Sequence, residues 1–328
     1  MLFINNGDMH DPSLNLALEE YVLRHLPADN DYLLFYINEP SIIIGKNQNT
    51  LEEINEDYVR ERGIHVVRRL SGGGAVYHDH GNLNYSFITK DDGESFRNYK
   101  KFTEPVIGAL RSMGVEAELS GRNDIGVGER KISGTAQFAT RGRMYTHGTL
   151  LFNSDISHVA SALKVNPEKF KSKSTKSVRS RVANISEFLQ EPMTVQQFRT
   201  RVLESLYKGE PVETYELTES DWEGVRKIAE ERYRSWDWNY GRSPAFNMRQ
   251  VKRLSAGTYD VRLNVVEGRI QQASIYGDFF GTAEVSELEA RFTGIRYELD
   301  SVREALDGVE LTPYLGPMEP DEFLGLLF

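Results

Sequence analysis

The chain has 328 residues, roughly two domains at about 150 residues each, and its 39% hydrophobic and 27% charged residues are typical of an ordinary globular protein. A formal charge of −10 argues against a protein that mainly coats nucleic acid, and the absence of cysteine excludes disulfide scaffolds, cysteine zinc sites, iron–sulfur clusters and thiolate catalysis. No apolar run reaches the roughly 18 residues that cross a bilayer, and residues 8–11 are too polar for a signal peptide. We therefore expect a cytoplasmic monomer with no membrane or nucleic-acid partner.

The first seventy residues predict alternating helices and strands. Asp11 and Pro12, followed by an apolar stripe of helical period, predict a capped helix. One apolar face over 51–58, ending at Gly63, predicts a single second helix. Runs rich in aromatic and β-branched residues predict three strands, at 32–37, 41–45 and 66–70.

The rest of the chain continues this mixed pattern and then changes character near residue 245. A strand over 83–88 and a helix over 102–113 are followed by short β segments as far as Phe152. Two capping-box patterns each predict the start of a helix: Thr194 with Gln197, and Ser220 with Glu223. After residue 244 the pattern predicts a strand pair with its turn at Gly268, and then two amphipathic helices. We predict an α/β (α+β) protein with mixed sheets, divided into a large domain, 1–244, and a small domain, 245–328.

The string RRLSGGGAVY at 68–77 carries the strongest chemical signal. Three successive glycines allow backbone N–H groups to approach an oxyanion closely, while Arg68, Arg69 and Ser71 add donors and positive charge. The string matches neither the Walker pattern nor GxGxxG at the start of a helix. It indicates either a phosphate cradle or a structural turn.

Several other polar residues are candidates for the same chemistry. Lys131, which precedes a Ser-Gly turn, is suited to a phosphate or carboxylate, and Asp124 is suited to a magnesium ion that accompanies nucleotide. His147 and Thr149 open an apolar run, so their side chains are placed to face a site at the end of a strand. His78 and His80 lack a third spaced metal ligand, which favours hydrogen-bonding roles.

A basic segment stands out in this acidic protein. Residues 164–181 contain seven basic side chains and one acidic one, Glu168, which gives a local charge of +6. Such a segment indicates an anionic ligand, an acidic protein surface or simply a solvated loop. Together with the glycine-rich string, it favours a nucleotide-dependent enzyme.

The motifs closely resemble those of lipoate–protein ligases. The matching strings are RRLSGGGAVYHDHGNLNYS from Arg68, GRNDIGV with Lys131-Ile-Ser-Gly, HGTLLFN from His147, KSVRSRVAN from Lys176 and SWDWNYGRSPAF from Ser235. The resemblance implies a catalytic domain related in fold to biotin protein ligases, followed by a small accessory domain. It also implies two half-reactions: lipoate and MgATP give lipoyl-AMP and pyrophosphate, and a lysine of an acceptor protein then displaces AMP. The implied acceptors are lipoyl domains of 2-oxoacid dehydrogenase E2 subunits and glycine cleavage H protein.

The resemblance also implies roles for individual residues. ATP contacts are expected from Arg69, Lys131 and the stretch Gly74, Ala75, Val76 and Tyr77. Lys131 would bridge the lipoate carboxylate and the α-phosphate, with Ser71, His147 and Thr149 around the lipoate and Asp124 at Mg²⁺. Leu16, Val76 and Tyr77 are expected to line the tunnel for the apolar part of lipoate, and 164–181 is expected to close over the adenylate.

One position departs from the family pattern. Some relatives carry an arginine where this chain has Phe138, and any contact that it makes must here be replaced, by Arg141 or Arg143, or be absent. Related octanoyl and lipoyl transferases use a cysteine, which this chain lacks. Two alternatives remain open: a transferase that accepts preformed lipoyl-AMP, and a lipoate-binding protein without catalysis.

Overall fold

A mixed sheet of eight strands forms the centre of the large domain. The structure is a computed structural model, which describes residues 1–163, 182–241, 246–266 and 268–328. The strand Leu2–Asn5 (β1) pairs in parallel with its two neighbours, Tyr32–Tyr36 (β2) and Thr214–Tyr215 (β11), and the other pairs in this sheet are antiparallel. In spatial order the strands are Thr214–Tyr215 (β11), Leu2–Asn5 (β1), Tyr32–Tyr36 (β2), Asn82–Lys90 (β6), Arg143–Leu151 (β10), Arg130–Thr140 (β9), Asp124–Val127 (β8) and Glu118–Ser120 (β7).

Helices cover both faces of this sheet. Every residue of β2 is buried, as expected for a strand covered on both sides. Leu33 and Phe35 pack on one side, whereas Leu34 and Tyr36 pack on the other, because successive side chains of a strand alternate. The helices of the large domain are Pro12–His25 (α1), Thr50–Glu53 (α2), Glu56–Arg62 (α3), Tyr99–Ser112 (α4), Ile156–Ala162 (α5), Val195–Leu206 (α6), Glu219–Ile228 (α7) and Trp236–Asn239 (α8), with a 3₁₀ turn at Ile185–Phe188 and a π turn at Ala229–Tyr233.

Two of the three predicted helix N-termini have the capping residues that the sequence indicated. Asp11 caps α1 by accepting hydrogen bonds from two backbone N–H groups, as predicted, and Thr194 forms a capping box with Gln197. The second predicted box was wrong. Thr218 and Asp221 form it instead, because the chain turns into α7 two residues earlier.

A second sheet of three strands lies beside the large one and carries the glycine-rich segment. Its strands are Ser41–Ile44 (β3), His65–Arg68 (β4) and Val76–His78 (β5), with β3 in the middle. The single helix predicted over 51–58 was wrong, since α2 and α3 are separate helices. Ile54 is extended and pairs with Leu163, and the Asn55 side chain caps α3, so the apolar periodicity continues across a helix boundary.

The small domain has its own sheet and apolar core. Its antiparallel strands are Met248–Leu254 (β12), Gly257–Val266 (β13) and Arg269–Gly277 (β14), so the predicted strand pair is confirmed. Two helices were predicted here, but the structure has four: Val285–Arg291 (α9), Leu299–Ala305 (α10), Thr312–Leu315 (α11) and Pro320–Leu327 (α12). The predicted boundary at residue 245 lies outside the described residues. Within the described parts of the chain, no helix is long and apolar enough to cross a membrane.

Candidate active site

The glycine-rich segment between β4 and β5 packs backbone to backbone against the loop after β3. Gly73 adopts φ +93°, a conformation that side chains other than glycine rarely tolerate. A Cβ at Gly45 would lie 1.9 Å from the Gly73 carbonyl oxygen, so the two loops could not meet if Gly45 carried a side chain. The Lys46 backbone N–H also donates to the Ser71 carbonyl at 2.9 Å. The loop conformation is therefore fixed by glycine at both contact points.

Arg69 holds this segment from inside. Its Nη2 donates to the carbonyls of Gly72 and Gly74 at 2.6 and 2.9 Å, and Nη1 donates to Ile43 at 3.1 Å. Burial lowers the pKa of Arg69 to about 10, so the guanidinium remains charged at neutral pH. Arg69 lines the adjoining cavity, and most of its donors are already used by the protein.

A cavity of about 150 Å³ lies where the two sheets, α1 and the small domain meet. Its wall is apolar on one side and polar with one lysine and one carboxylate on the other. The lining residues are Leu16, Tyr36, Ile43, Arg69, Gly73, Gly74, Ala75, Val76, His78, Asn84, Asn123, Asp124, Lys131, Gly134, Thr135, Ala136, His147, Gly148, Thr149 and Phe280.

Most of the predicted site residues line this cavity, but Arg68, Ser71 and Tyr77 do not. Val76 and His78 face the cavity, and the alternation of a strand turns Tyr77 to the opposite side, where its ring stacks with His158. The Tyr77 side chain therefore faces away from this cavity. The Ser71 hydroxyl is buried and bonds to His147 and Arg69.

Lys131 and Asp124 form the charged corner of the cavity. The Lys131 Nζ lies 2.8 Å from Asp124 Oδ1, across the β8–β9 pair, and 41% of the Lys131 side chain is exposed. A Cβ at Gly134 would approach Nζ to 3.1 Å, so this glycine leaves room for the ammonium group. Asp124 is the one carboxylate among the lining residues that the structure describes. Mg²⁺ commonly takes one or two protein carboxylates and completes its shell with substrate phosphates and water, so this donor set fits an ion that arrives with nucleotide.

The small domain completes the cavity wall. Phe280 lines the cavity and contacts Gly73, and the Arg122 guanidinium lies 4.7 Å from the centre of the Phe280 ring. Lys46, whose side chain is 5% exposed, forms an ion pair of 3.0 Å with Glu284. Phe280 was not predicted, because no local sequence pattern links it to a loop about 200 residues away.

Neither predicted replacement for the missing arginine reaches the cavity. Arg143 donates to the carbonyls of Val22 and Leu26, where it caps the end of α1, and Arg141 lies exposed in the β9–β10 turn. Of the two alternatives, replacement by Arg141 or Arg143 is not seen, because both residues lie beyond the end of β9 and neither lines the cavity. The Lys46 Nζ lies 5.5 Å from the centre of the Phe138 ring.

The predicted lid, 164–181, lies outside the described residues, but both of its flanks are anchored. Leu163 pairs with Ile54 beside the small sheet. On the other flank, Val182 pairs with Lys131, and the Ala183 N–H donates to the Lys131 carbonyl at 2.9 Å. The basic segment is therefore joined directly to the strand that carries Lys131.

His78 is a buried neutral histidine in the cavity wall. Asn38 Nδ2 donates to its Nδ1 at 3.0 Å, which places the ring proton on Nε2. Burial, with the nearby Arg69 guanidinium and His147, lowers the pKa of His78 to about 3.

This buried ring makes stability depend on pH. In the unfolded chain His78 binds a proton near pH 6.5, whereas in the folded protein it does so only near pH 3, so stability is lost as pH falls through this window. From pH 7 to pH 5 we expect His78 to lower the free energy of unfolding by about 2 kcal/mol. Urea unfolding of wild type and His78→Gln at both pH values measures this contribution to the free energy of unfolding. His80→Gln is the control, because His80 is exposed. Equal pH effects in wild type and His78→Gln would contradict it.

Two protein families match the sequence in the same order as the two parts of the structure. Residues 11–207 match the family described as lipoyl protein ligase A/B catalytic domain. Residues 243–327 match bacterial lipoate protein ligase C-terminus. The first match covers more than half of the chain, and the cavity lies almost entirely within it. The fold and site therefore define a lipoyl ligase catalytic domain followed by a bacterial ligase C-terminal domain.

Individual relatives agree over the full length. The chain is 58% identical over 331 aligned residues to a lipoate-protein ligase of Bacillus subtilis, with 100% of both chains covered. It is 51% identical over 327 residues to lipoate–protein ligase 1 of Staphylococcus aureus, again with 100% of both covered. A crystal structure of lipoate-protein ligase A bound with ATP is similar at 29% identity and a TM-score of 0.62, covering 74% of this chain and 97% of that one. The chain belongs to the lipoate–protein ligase family and is an enzyme of that family.

Proposed function

We propose that this ligase activates free lipoate with ATP and then transfers the lipoyl group to a protein lysine. In the first half-reaction a lipoate carboxylate oxygen attacks the α-phosphorus of ATP, which forms lipoyl-AMP and releases pyrophosphate. In the second, an acceptor ε-amine attacks the carbonyl of the mixed anhydride, which forms an amide and releases AMP. The complete absence of cysteine supports this route over a thioester intermediate.

The observation that carries the proposal is the charged corner beside the glycine-rich segment. Two anions must be brought together for the first step, and a cation at the meeting point offsets their repulsion in a partly enclosed site. Lys131 supplies that cation, with its Nζ reaching into the cavity that Gly73 and Gly74 also line. In this proposal Lys131 donates to the lipoate carboxylate and the α-phosphate, and the backbone of Gly74, Ala75 and Val76, with Arg69, binds the nucleotide.

The apolar wall suits the rest of the lipoate molecule. Leu16, Tyr36, Ile43 and Val76 lie together on one side of the cavity. Burial of the dithiolane ring and hydrocarbon chain against them would contribute about 25 cal/mol per Å². His147 and Thr149 are proposed at the carboxylate end. Asp124 would hold Mg²⁺, which supplies charge neutralisation to the phosphates when bound.

We also propose apo lipoyl domains of 2-oxoacid dehydrogenase E2 subunits, or glycine cleavage H protein, as acceptors, and a division of the chain into domains 1–244 and 245–328. A solved bipartite ligase from Thermoplasma acidophilum, described with its E2 lipoyl domain, is similar at 29% identity and a TM-score of 0.66 over 75% of this chain and 98% of that one.

Residues 164–181 are proposed to cover the adenylate and exclude water.

Intact-mass measurement on an apo lipoyl domain tests the complete reaction. With lipoate and MgATP we expect a gain of one lipoyl group on the wild-type acceptor and none when its target lysine is replaced by arginine. Omission of ATP should abolish the gain. A gain that requires added lipoyl-AMP, and is absent with lipoate and MgATP, would contradict the activation step.

A further inference from the structure

A buried carboxylate on α1 lies behind the site and touches one of its lining residues. Glu19 is 1% exposed, and both of its oxygens lie 3.0 Å from His147 Nδ1. Burial and this carboxylate raise the pKa values of Tyr36 and Tyr145 well above the ordinary range. Burial of a carboxylate is energetically costly unless a hydrogen-bond or ion-pair partner compensates for the lost water, and His147 is that partner for Glu19.

The hydrogen bonds continue from His147 to the glycine-rich segment in one consistent direction. His147 Nε2 lies 2.7 Å from Ser71 Oγ, and Arg69 Nε donates to the same oxygen at 2.9 Å. Because a carboxylate can only accept, a neutral His147 ring carries its proton on Nδ1 and donates it to Glu19, and Nε2 is then left to accept the Ser71 hydroxyl proton. We call these four residues, Glu19, His147, Ser71 and Arg69, the Glu19 relay.

The composition serine, histidine and carboxylate resembles that of a nucleophilic triad, but the surroundings favour another role. Ser71 is 1% exposed and does not line the cavity, so a substrate carbonyl has no access to its hydroxyl in this arrangement. Its oxygen also accepts a bond from a guanidinium, which lowers its nucleophilicity. Arg69 instead donates its other hydrogen bonds to the carbonyls of Gly72, Gly74 and Ile43. The relay therefore connects Glu19 to the backbone of the glycine-rich segment.

We propose that Glu19 is a positioning residue for the ATP-binding part of this site. By accepting the Nδ1 proton it selects one tautomer of His147. That tautomer orients the Ser71 hydroxyl, which in turn fixes the plane of Arg69 and the carbonyls of the glycine-rich segment. The proposal rests on the proposed function for its activity measurements, whereas the tautomer of His147 is a property of the free enzyme.

Three variants at Glu19 separate hydrogen bonding from charge and from packing. Glu19→Gln keeps an oxygen acceptor for His147, so we expect pyrophosphate exchange within about threefold of wild type. Glu19→Leu removes the acceptor, and we expect kcat/KM for ATP to fall about 10- to 100-fold, by analogy with the loss that follows removal of the carboxylate partner of a metal-bound histidine. Glu19→Asp keeps the charge but moves the carboxylate back by one methylene. This variant should fold even if Glu19→Leu does not, and its loss of kcat/KM for ATP should lie between those of the other two variants.

The neighbouring Glu20 provides the matched control. It is also a buried carboxylate on α1, but it bonds to Tyr233, Arg24 and Arg232 outside the relay. Glu20→Gln should leave KM for ATP unchanged. Binding of Mg²⁺ and a non-hydrolysable ATP analogue, measured by calorimetry, should weaken in Glu19→Asp and Glu19→Leu and not in the Glu20 variant.

Nitrogen NMR of the imidazole rings tests the relay without any turnover. We expect the His147 proton on Nδ1 in wild type and Glu19→Gln, and a mixture of tautomers in Glu19→Asp. A proton on Nε2 in wild type would overturn the proposal, as would equal kcat/KM for ATP in wild type and Glu19→Asp. Failure of the proposed function would appear differently, as an absence of pyrophosphate exchange in wild type with the Nδ1 tautomer retained.

Discussion

Replacement of Lys131 by alanine is expected to lower lipoate-dependent exchange of pyrophosphate into ATP about a thousandfold. Removal of one preorganised donor from a site of developing charge typically costs 10²- to 10³-fold in rate, and Lys131 also serves the approach of two anions. Stability should change little, because the Lys131–Asp124 pair is partly exposed and such pairs contribute about 0–1 kcal/mol. Exchange rates and urea unfolding of the variant measure the two effects.

A surface lysine provides the control for this variant. Lys90, at the end of β6, is exposed and lies 3.7 Å from Asp29, so Lys90→Ala removes the same charge away from the cavity. We expect Lys90→Ala to exchange at the wild-type rate. Exchange by Lys131→Ala within about threefold of wild type would remove Lys131 from the mechanism and would leave the family membership untouched.

Gly72→Val is expected to reduce pyrophosphate exchange about a hundredfold without unfolding either domain. A Cβ at Gly72 would lie 2.3 Å from the Phe279 carbonyl oxygen, so a side chain there must push the small domain away. Phe280 would then leave the cavity wall. A displacement of about 1 Å in a site can cost 10²-fold in rate, since reacting groups lose their alignment.

The same loop offers a matched substitution. At Gly74 no atom of the residues that the structure describes would lie within 4 Å of an added Cβ and φ is not positive, so Gly74→Ala should leave the domains in contact. Small-angle X-ray scattering should show an expanded Gly72→Val and an unchanged Gly74→Ala. If Gly72→Val kept wild-type exchange, the contribution of Phe280 to the site would be refuted.

Structural features that depend on neighbouring residues in the sequence were predicted correctly. The Asp11 cap, the strand predicted over 32–37 and the glycine-rich segment all depend on neighbouring residues, and the structure contains each of them. The errors also have local causes. The apolar periodicity across Asn55 hid a helix boundary, and Thr218 competed with Ser220 for the start of α7.

The site was only partly accessible from sequence because much of it is assembled over long distances. Four candidate site residues were predicted from separate stretches of the sequence, and all four line the cavity: Val76, Asp124, Lys131 and His147. Glu19 lies on the apolar stripe of α1, between Leu16 and Leu23, where a buried acid is a signal that could have been noticed. Phe280 and Lys46 had no such signal, because their roles arise only when the small domain packs against the loops of the large one.

Lipoate-dependent exchange of labelled pyrophosphate into ATP tests the central claim most directly, since it reports adenylate formation without an acceptor protein. We predict that wild-type enzyme exchanges label when lipoate, ATP and Mg²⁺ are present together, and that omission of lipoate abolishes the exchange. Transfer from preformed lipoyl-AMP by an enzyme that shows no exchange would contradict the claim that this chain activates lipoate itself.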